Sequence, residues 1–124
     1  MIPVPADKGS GELPVITKTY DLLQWTMGRV EKFPRSHRFT LGTRLQSKLH
    51  DLLDLLIESR FAQEEKSDLL HRCSVTVEQI RMSFRLACEL RILAVNSHEY
   101  ACRHLLEIGR QIGGWRRQQE QISR

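Results

Sequence analysis

The sequence predicts an all-α protein, an antiparallel up-down four-helix bundle. In four segments the apolar residues recur at steps of three and four, which is the spacing of one helix face. The connections between these segments are short, and no stretch alternates apolar and polar residues as a strand would. We expect one bundle over residues 14–117, between a flexible tail of residues 1–13, rich in proline and glycine, and a frayed polar tail of residues 118–124.

The first helix is predicted from Val15 to Lys32. Pro14 suits a first turn, and Pro34 disfavours helix in the residue before it. The expected core face consists of Ile16, Tyr20, Leu23, Met27 and Val30, with Leu22 and Trp25 off this face. The segment from Phe33 to Phe39 has the least helical pattern within the bundle and is predicted to be a loop.

The second helix is expected to begin after a capping Thr40 and to end near Phe61, before a turn at Gln63–Lys66. Leucines at steps of four, four, three and four predict its core face: Leu41, Leu45, Leu49, Leu52 and Leu56.

The longest helical pattern runs from Gln63 to Val95 and has two apolar faces. The face expected in the core consists of Leu70, Cys73, Val77, Ile80, Phe84 and Ala87. The second face consists of Val75, Met82, Leu86 and Leu93. A helix with two apolar faces needs partners on two sides, so the second face is a candidate contact with another subunit.

Asn96 and Ser97 are interpreted as the break before the fourth helix. The core face of that helix is predicted to consist of Ala101, Leu105, Ile108, Ile112 and Trp115. Gly109 and Gly113 lie on an adjoining face, where small residues let another backbone approach closely.

No pattern in the sequence indicates catalysis. The five histidines are scattered, no Glu-x-x-His pair occurs, and His71 and Cys73 are two apart and so point to different faces of their helix. A glycine-rich phosphate loop and a nucleophile elbow are also missing. We therefore expect no enzyme activity, metal or cofactor.

Cysteine usage and segment hydropathy predict a reduced, cytoplasmic protein. Three cysteines without paired spacing do not form a disulfide framework. The first twelve residues lack the apolar core of a signal peptide, and no apolar run reaches transmembrane length.

Basic residues carry the clearest functional signal. The net charge is +4, and 14 of the 19 basic residues are arginines, whose planar guanidinium suits phosphate or carboxylate. A surface that binds nucleic acid or a partner is expected from Lys18, Arg29, Arg35, Arg38, Arg72, Arg81 and Arg85.

Two alternatives to this surface stay open. Arg81 and Arg85 lie one turn apart, and Glu78 and Glu89 are placed to pair with them, so these four residues could form a solvated, ion-paired strip. The basic segment after the first helix could instead hold its loop against the bundle.

The segment from Lys32 to Gly42, KFPRSHRFTLG, resembles the KFPRxxRFTLG segment of the accessory variability determinant proteins of diversity-generating retroelements. These proteins belong to a broader group of four-helix bundles that includes proteins encoded in intervening sequences of bacterial 23S ribosomal RNA genes. The resemblance extends to Tyr20–Leu23, Leu90–Leu93 and Gly113–Trp115, and Arg35, Arg38 and Arg44 fall within the motif.

This resemblance implies a non-catalytic accessory protein that assembles as a homopentameric barrel. Such a protein binds the reverse transcriptase of its element, together with RNA or DNA, and supports mutagenic retrohoming. The alternative is a stand-alone scaffolding bundle of the intervening-sequence type, with no polymerase partner. A neighbouring reverse transcriptase gene would favour the first function, and a position inside a ribosomal RNA gene the second.

Overall fold

The computed structural model describes the backbone of residues 13–123 and the side chains of residues 13–122. In chain order the elements are α1 (Pro14–Val30), the single turn α2 (Arg35–His37), a π-helical turn (Arg38–Gly42), α3 (Thr43–Phe61), α4 (Lys66–Glu89) and α5 (Val95–Ser123). Within this part of the chain no strand occurs, which confirms the all-α class. The predicted N-terminal tail, residues 1–13, lies outside the described residues except for Leu13.

The four long helices form a bundle in which neighbours are antiparallel. α1 and α4 each pack on α3 and on α5, so α1 and α4 lie diagonally opposite each other. Arg44, early in α3, donates a hydrogen bond to Ser83, late in α4. Trp25, late in α1, contacts Tyr100, early in α5. The N-terminal half of each helix therefore lies beside the C-terminal half of its neighbours.

The predicted core faces of α3, α4 and α5 are confirmed. Of the five predicted leucines, the four that lie in α3 are buried, as is Leu41 in the π-helical turn before it. The six residues of the first apolar face of α4 are also buried. On α5, Ala101, Leu105, Ile108 and Ile112 are buried, and Trp115 packs against the core from its margin. The spacing of three and four residues placed these side chains correctly because a helix repeats every 3.6 residues.

The predicted core face of α1 is wrong in part. Tyr20 and Met27 are about half exposed, whereas Leu22 is buried together with two threonines, Thr19 and Thr26. The Thr19 hydroxyl donates a hydrogen bond of 2.8 Å to the carbonyl of Val15 in its own helix. A threonine whose hydroxyl is hydrogen-bonded in this way lies in a core at a low cost in free energy. The buried face of α1 therefore cannot be found by counting apolar residues alone.

The segment from Phe33 to Phe39 is not a loop throughout, because helical structure begins at Arg35. Thr40 does not cap α3, since it lies inside the π-helical turn and donates from its hydroxyl to the His37 carbonyl. Phe33 is buried and fixes the segment to the core. Gly42 approaches Val30 so closely that a Cβ there would lie 2.7 Å from the Cγ1 atom of that valine.

The third predicted helix is too long, because α4 ends at Glu89. Arg91 has a φ of 63°, and the amides of Arg91 and Ile92 donate to the carbonyls of Cys88 and Ala87. This pattern is a Schellman motif, which terminates a helix and usually has glycine at the left-handed position. This protein has Arg91 at the left-handed position, so the residue types did not predict that the helix ends here.

The predictions for the connection after α4 and for the two ends of α5 also differ from the structure. Asn96 and Ser97 lie in the first turn of α5 instead of between helices, and Leu93 is buried in the connection instead of lying on the outer face of α4. At its other end α5 continues to Ser123, beyond the predicted limit at residue 117.

Candidate nucleic-acid and partner surfaces

The seven predicted basic residues lie in three places on the bundle. Lys18 and Arg29 lie on the flank of α1 that faces α5, and Arg35 and Arg38 lie at the end of the bundle between α1 and α3. Arg72, Arg81 and Arg85 lie on α4. Because α1 and α4 are diagonal, the structure does not bring the seven residues together into one surface.

The first place is a seam between α1 and α5, which we define by Lys18, Trp25, Arg29, Tyr100 and His104. The ring centroids of Trp25 and Tyr100 are 4.6 Å apart, and those of Tyr100 and His104 are 4.3 Å apart. The guanidinium carbon of Arg29 lies 5.4 Å from the centroid of the Trp25 ring, within cation–π range. All five side chains are partly exposed.

The electrostatic environment of the α1–α5 seam is positive. Burial lowers the pKa of His104 below its ordinary value, and the charge of Lys18 lowers it further, while Asp21 acts in the opposite direction. Burial and the charge of Lys18 therefore both disfavour the protonated imidazole. Two buried nitrogens of the seam, Nε of Arg29 and Nδ1 of His104, have no hydrogen-bond partner among the described residues.

The second place is the segment between α1 and α3, where Arg38 has a structural role. Its Nη2 donates to the carbonyls of Glu31 and Phe33, at 3.1 and 3.3 Å. These carbonyls follow the end of α1, so the guanidinium closes the helix terminus as a cation does favourably there. Arg35, by contrast, is exposed, and the ring of Phe39 is 71% exposed.

The third place is the outward side of α4, where the two central arginines are paired. Arg81 Nη2 lies 2.6 Å from Glu78 Oε1, and Arg85 Nε lies 2.9 Å from Glu89 Oε2. The pairing predicted from spacing is thus present. Exposed pairs of this kind contribute only about 0–1 kcal/mol to stability, so a phosphate or a partner carboxylate can replace the glutamates.

Beside this ion-paired strip lies the outer apolar line of α4, namely Val75, Met82 and Leu86. Each of these side chains is 43–49% exposed. The line borders a cleft against α3, and a second cleft lies on the other flank of α4, where Gly109 and Gly113 of α5 leave space and Leu106 is exposed. The second apolar face of α4 therefore has no partner among the residues that the structure describes.

Burial disfavours the reactive thiolate form of two of the three cysteines. Burial raises the pKa of Cys73 to about 11, and burial also raises the pKa of Cys102. The thiol of Cys102 lies 3.3 Å from Nε2 of His98, and all three cysteines are free. Among the described residues, no three or more His, Cys, Asp or Glu side chains are grouped to hold a metal ion. The described helices also include none that combines the length and apolarity needed to span a membrane.

Sequence reasoning missed the aromatic part of the α1–α5 seam. The spacing places Trp25 off the predicted core face of α1 and predicts no contact for Tyr100 or His104. The available signal was that Tyr100 and His104 are four apart on one face of α5, while Lys18, Trp25 and Arg29 recur on one flank of α1 at steps of seven and four.

A comparison with protein-family models gave a match for this chain. A family model described as bAvd-like matches residues 14–119, a range that reaches all four long helices. A search of curated proteins gave no match. Because the family match spans most of the chain, it confirms the resemblance to the accessory variability determinant proteins, and this protein belongs to the bAvd-like family.

Proposed function

We propose that the protein is a non-catalytic accessory factor of a diversity-generating retroelement. It binds the reverse transcriptase of that element and the template RNA or cDNA, and so supports mutagenic retrohoming. The observation that carries this proposal is the bAvd-like family match over residues 14–119. The fold adds support, because basic side chains lie on the outside of a bundle whose interior is apolar.

Nucleic acid contacts the α1 side of the bundle in this proposal. Lys18, Arg29 and Arg35 are at least partly exposed, and the structure describes no carboxylate within ion-pair distance of them. Arg38 contributes by holding the segment after α1 in place. Contacts between such cations and phosphate give affinity without sequence readout.

Protein partners contact the opposite side, on α4. Arg72, Arg81 and Arg85 lie there beside the outer apolar line, and the paired glutamates leave the central strip without net charge. A mixed polar and apolar face of this composition suits a protein interface. We assign the outer apolar line to a neighbouring subunit of a homo-oligomer, a pentamer in the family pattern, and the arginines to the polymerase.

Light scattering tests the assembly. The expected mass is a multiple of the 14.5 kDa chain, near five copies. Met82→Glu with Leu86→Glu should lower the mass, because it places two charges on the outer apolar line. The matched control, Gln24→Glu with Gly28→Glu, places two charges on the exposed outer side of α1 and should leave the mass unchanged. A wild-type protein that is monomeric at micromolar concentration contradicts the proposed assembly.

Salt dependence tests the nucleic-acid surface. Each phosphate contact to a single strand contributes about 0.7 to the slope of log K against log salt concentration. The triple variant Lys18→Gln, Arg29→Gln, Arg35→Gln should therefore reduce this slope by about 2 for a single-stranded RNA. An unchanged slope places the contacts elsewhere.

Pull-down with the reverse transcriptase of the same retroelement tests the proposed polymerase contact. Failure to retain the polymerase, together with indifference to RNA, would favour the stand-alone scaffolding bundle. The outer apolar line of α4 also fits that second function, because it requires only a protein partner.

A further inference from the structure

The rings of the α1–α5 seam are held rigidly from inside the bundle. Phe84 is completely buried in α4, and its ring lies 6.4 Å from that of Trp25. Trp25 in turn contacts Tyr100, and Tyr100 contacts His104, so the rings form a continuous series from the core to the partly exposed surface. Aromatic side chains fixed in this way lose little conformational freedom when a ligand stacks on them.

Cations surround this series of rings more densely than anions do. Lys18 and Arg103 act electrostatically on His104 from α1 and α5, and Arg29 covers Trp25. Asp21 is the acidic group that acts on His104 from the same side. Aromatic rings bordered by cations are the combination that binds unpaired bases, since the rings stack with the base and the cations contact the flanking phosphates.

We propose that the α1–α5 seam is a stacking site for an unpaired base of a single-stranded nucleic acid. This inference rests on the proposed function. It adds that the bound nucleic acid is single-stranded, and it names the residues that recognise a base. Trp25 provides the stacking surface, with Tyr100 supporting its ring. Lys18 and Arg29 contact the phosphates on either side of the stacked base.

Arg29 occupies the ligand position in the free protein. Its guanidinium lies over the Trp25 ring, and its buried Nε has no hydrogen-bond partner among the described residues. An incoming base takes the place of the guanidinium on the ring. The guanidinium then moves to the adjacent phosphate, where its planar fork forms charge-assisted hydrogen bonds.

The chain has two tryptophans, and this allows a direct test. Trp115 lies at the other end of the bundle, in a cleft with Leu13 and Arg60. In the variant Trp115→Phe, Trp25 is the single tryptophan, and Trp25→Phe is the matched control that leaves Trp115. The probes are an oligouridylate, an abasic strand with the same number of phosphates, and polyglutamate as an acidic polymer without bases, all without a dye because a dye would itself quench tryptophan fluorescence.

The expected result is that oligouridylate quenches Trp25 fluorescence and leaves Trp115 fluorescence unchanged. The abasic strand should bind without quenching Trp25 fluorescence. Its affinity should be about 5- to 150-fold lower than that of oligouridylate, because stacking of one base raises affinity by about that factor. If Trp115→Phe does not fold, the indole N–H resonance of Trp25 in the unmodified chain gives the same readout.

Each contrary result has a separate meaning. Equal quenching by oligouridylate and the abasic strand, or by polyglutamate, overturns the stacking site in favour of a general anion-binding surface. Binding of oligouridylate with no change at Trp25 overturns the stacking site while the proposed function stands. If no nucleic acid binds at all, the stacking site and the nucleic-acid part of the proposed function both fail.

Discussion

Replacing Gly42 with alanine tests how tightly the segment after α1 is held against the bundle. The new Cβ would lie 2.7 Å from Cγ1 of Val30. Carbon atoms in ordinary contact are about 3.5–4.0 Å apart, so the two groups would overlap by about 1 Å. Val30 is buried, and its β-branched side chain has restricted rotamers, so it cannot move away freely.

The expected effect follows from two opposing contributions. Overpacking costs about 1–3 kcal/mol, while alanine in place of glycine at a helical position contributes about 0.5–1 kcal/mol of stability. Gly28→Ala is the matched control, because Gly28 is also helical and no atom of the described part of the chain lies within 4 Å of its added Cβ. The two variants should therefore differ in free energy of unfolding by about 1–3 kcal/mol, with Gly28→Ala the more stable.

Urea unfolding at one fixed protein concentration, followed by far-UV circular dichroism, measures this difference. A double variant completes the test, since Val30→Ala removes the methyl groups that the new Cβ would meet. In that background the cost of Gly42→Ala should fall by about 1 kcal/mol or more. The reasoning is refuted if Gly42→Ala is as stable as Gly28→Ala, or if the effects at Gly42 and Val30 are additive.

Three further predictions concern other parts of the chain. Arg91→Gly should raise the free energy of unfolding by about 1 kcal/mol, because it relieves the left-handed backbone at the end of α4, as measured by urea unfolding. Lowering the pH from 7.5 to 5.5 should reduce stability more in the wild-type protein than in His104→Phe. The pKa of His104 is lowered in the folded state, so below its ordinary value of about 6.5 the unfolded chain takes up the proton more readily. Charge reversal at Arg81 and Arg85 should abolish binding of the reverse transcriptase or its RNA complex, with helicity and mass unchanged.

Controls separate these predictions from trivial effects. If Arg91→Gly destabilises the protein, the arginine side chain has a role that outweighs its backbone strain. If His104→Phe has the same pH dependence as the wild type, the other histidines or the carboxylates determine the slope. Unaltered binding after reversal of Arg81 and Arg85 would show that the ion-paired strip on α4 faces solvent and does not contact the polymerase. A matched reversal at Arg110, which pairs with Glu107 on α5, should leave binding intact.

The helical class, the number of long helices and three of their core faces could be predicted from the pattern of residues alone. Apolar residues recur with the period of a helix in three elements. They are leucines in α3, mixed apolar residues in α4, and Ala101, Leu105, Ile108 and Ile112 in α5. This signal is local and depends on no other segment. The motif from Lys32 to Gly42 likewise identified the family, because a match of residue types needs no knowledge of packing.

The buried face of α1, the end of α4 and the grouping of the basic residues depend on how the helices pack together. Thr19 enters the core because its hydroxyl bonds its own helix, and Arg91 adopts a conformation that its residue type does not indicate. Trp25 and Tyr100 are distant in the chain and meet only because α1 and α5 pack side by side. Surface sites depend on which helices are neighbours, and that arrangement is set by the packing of the whole core.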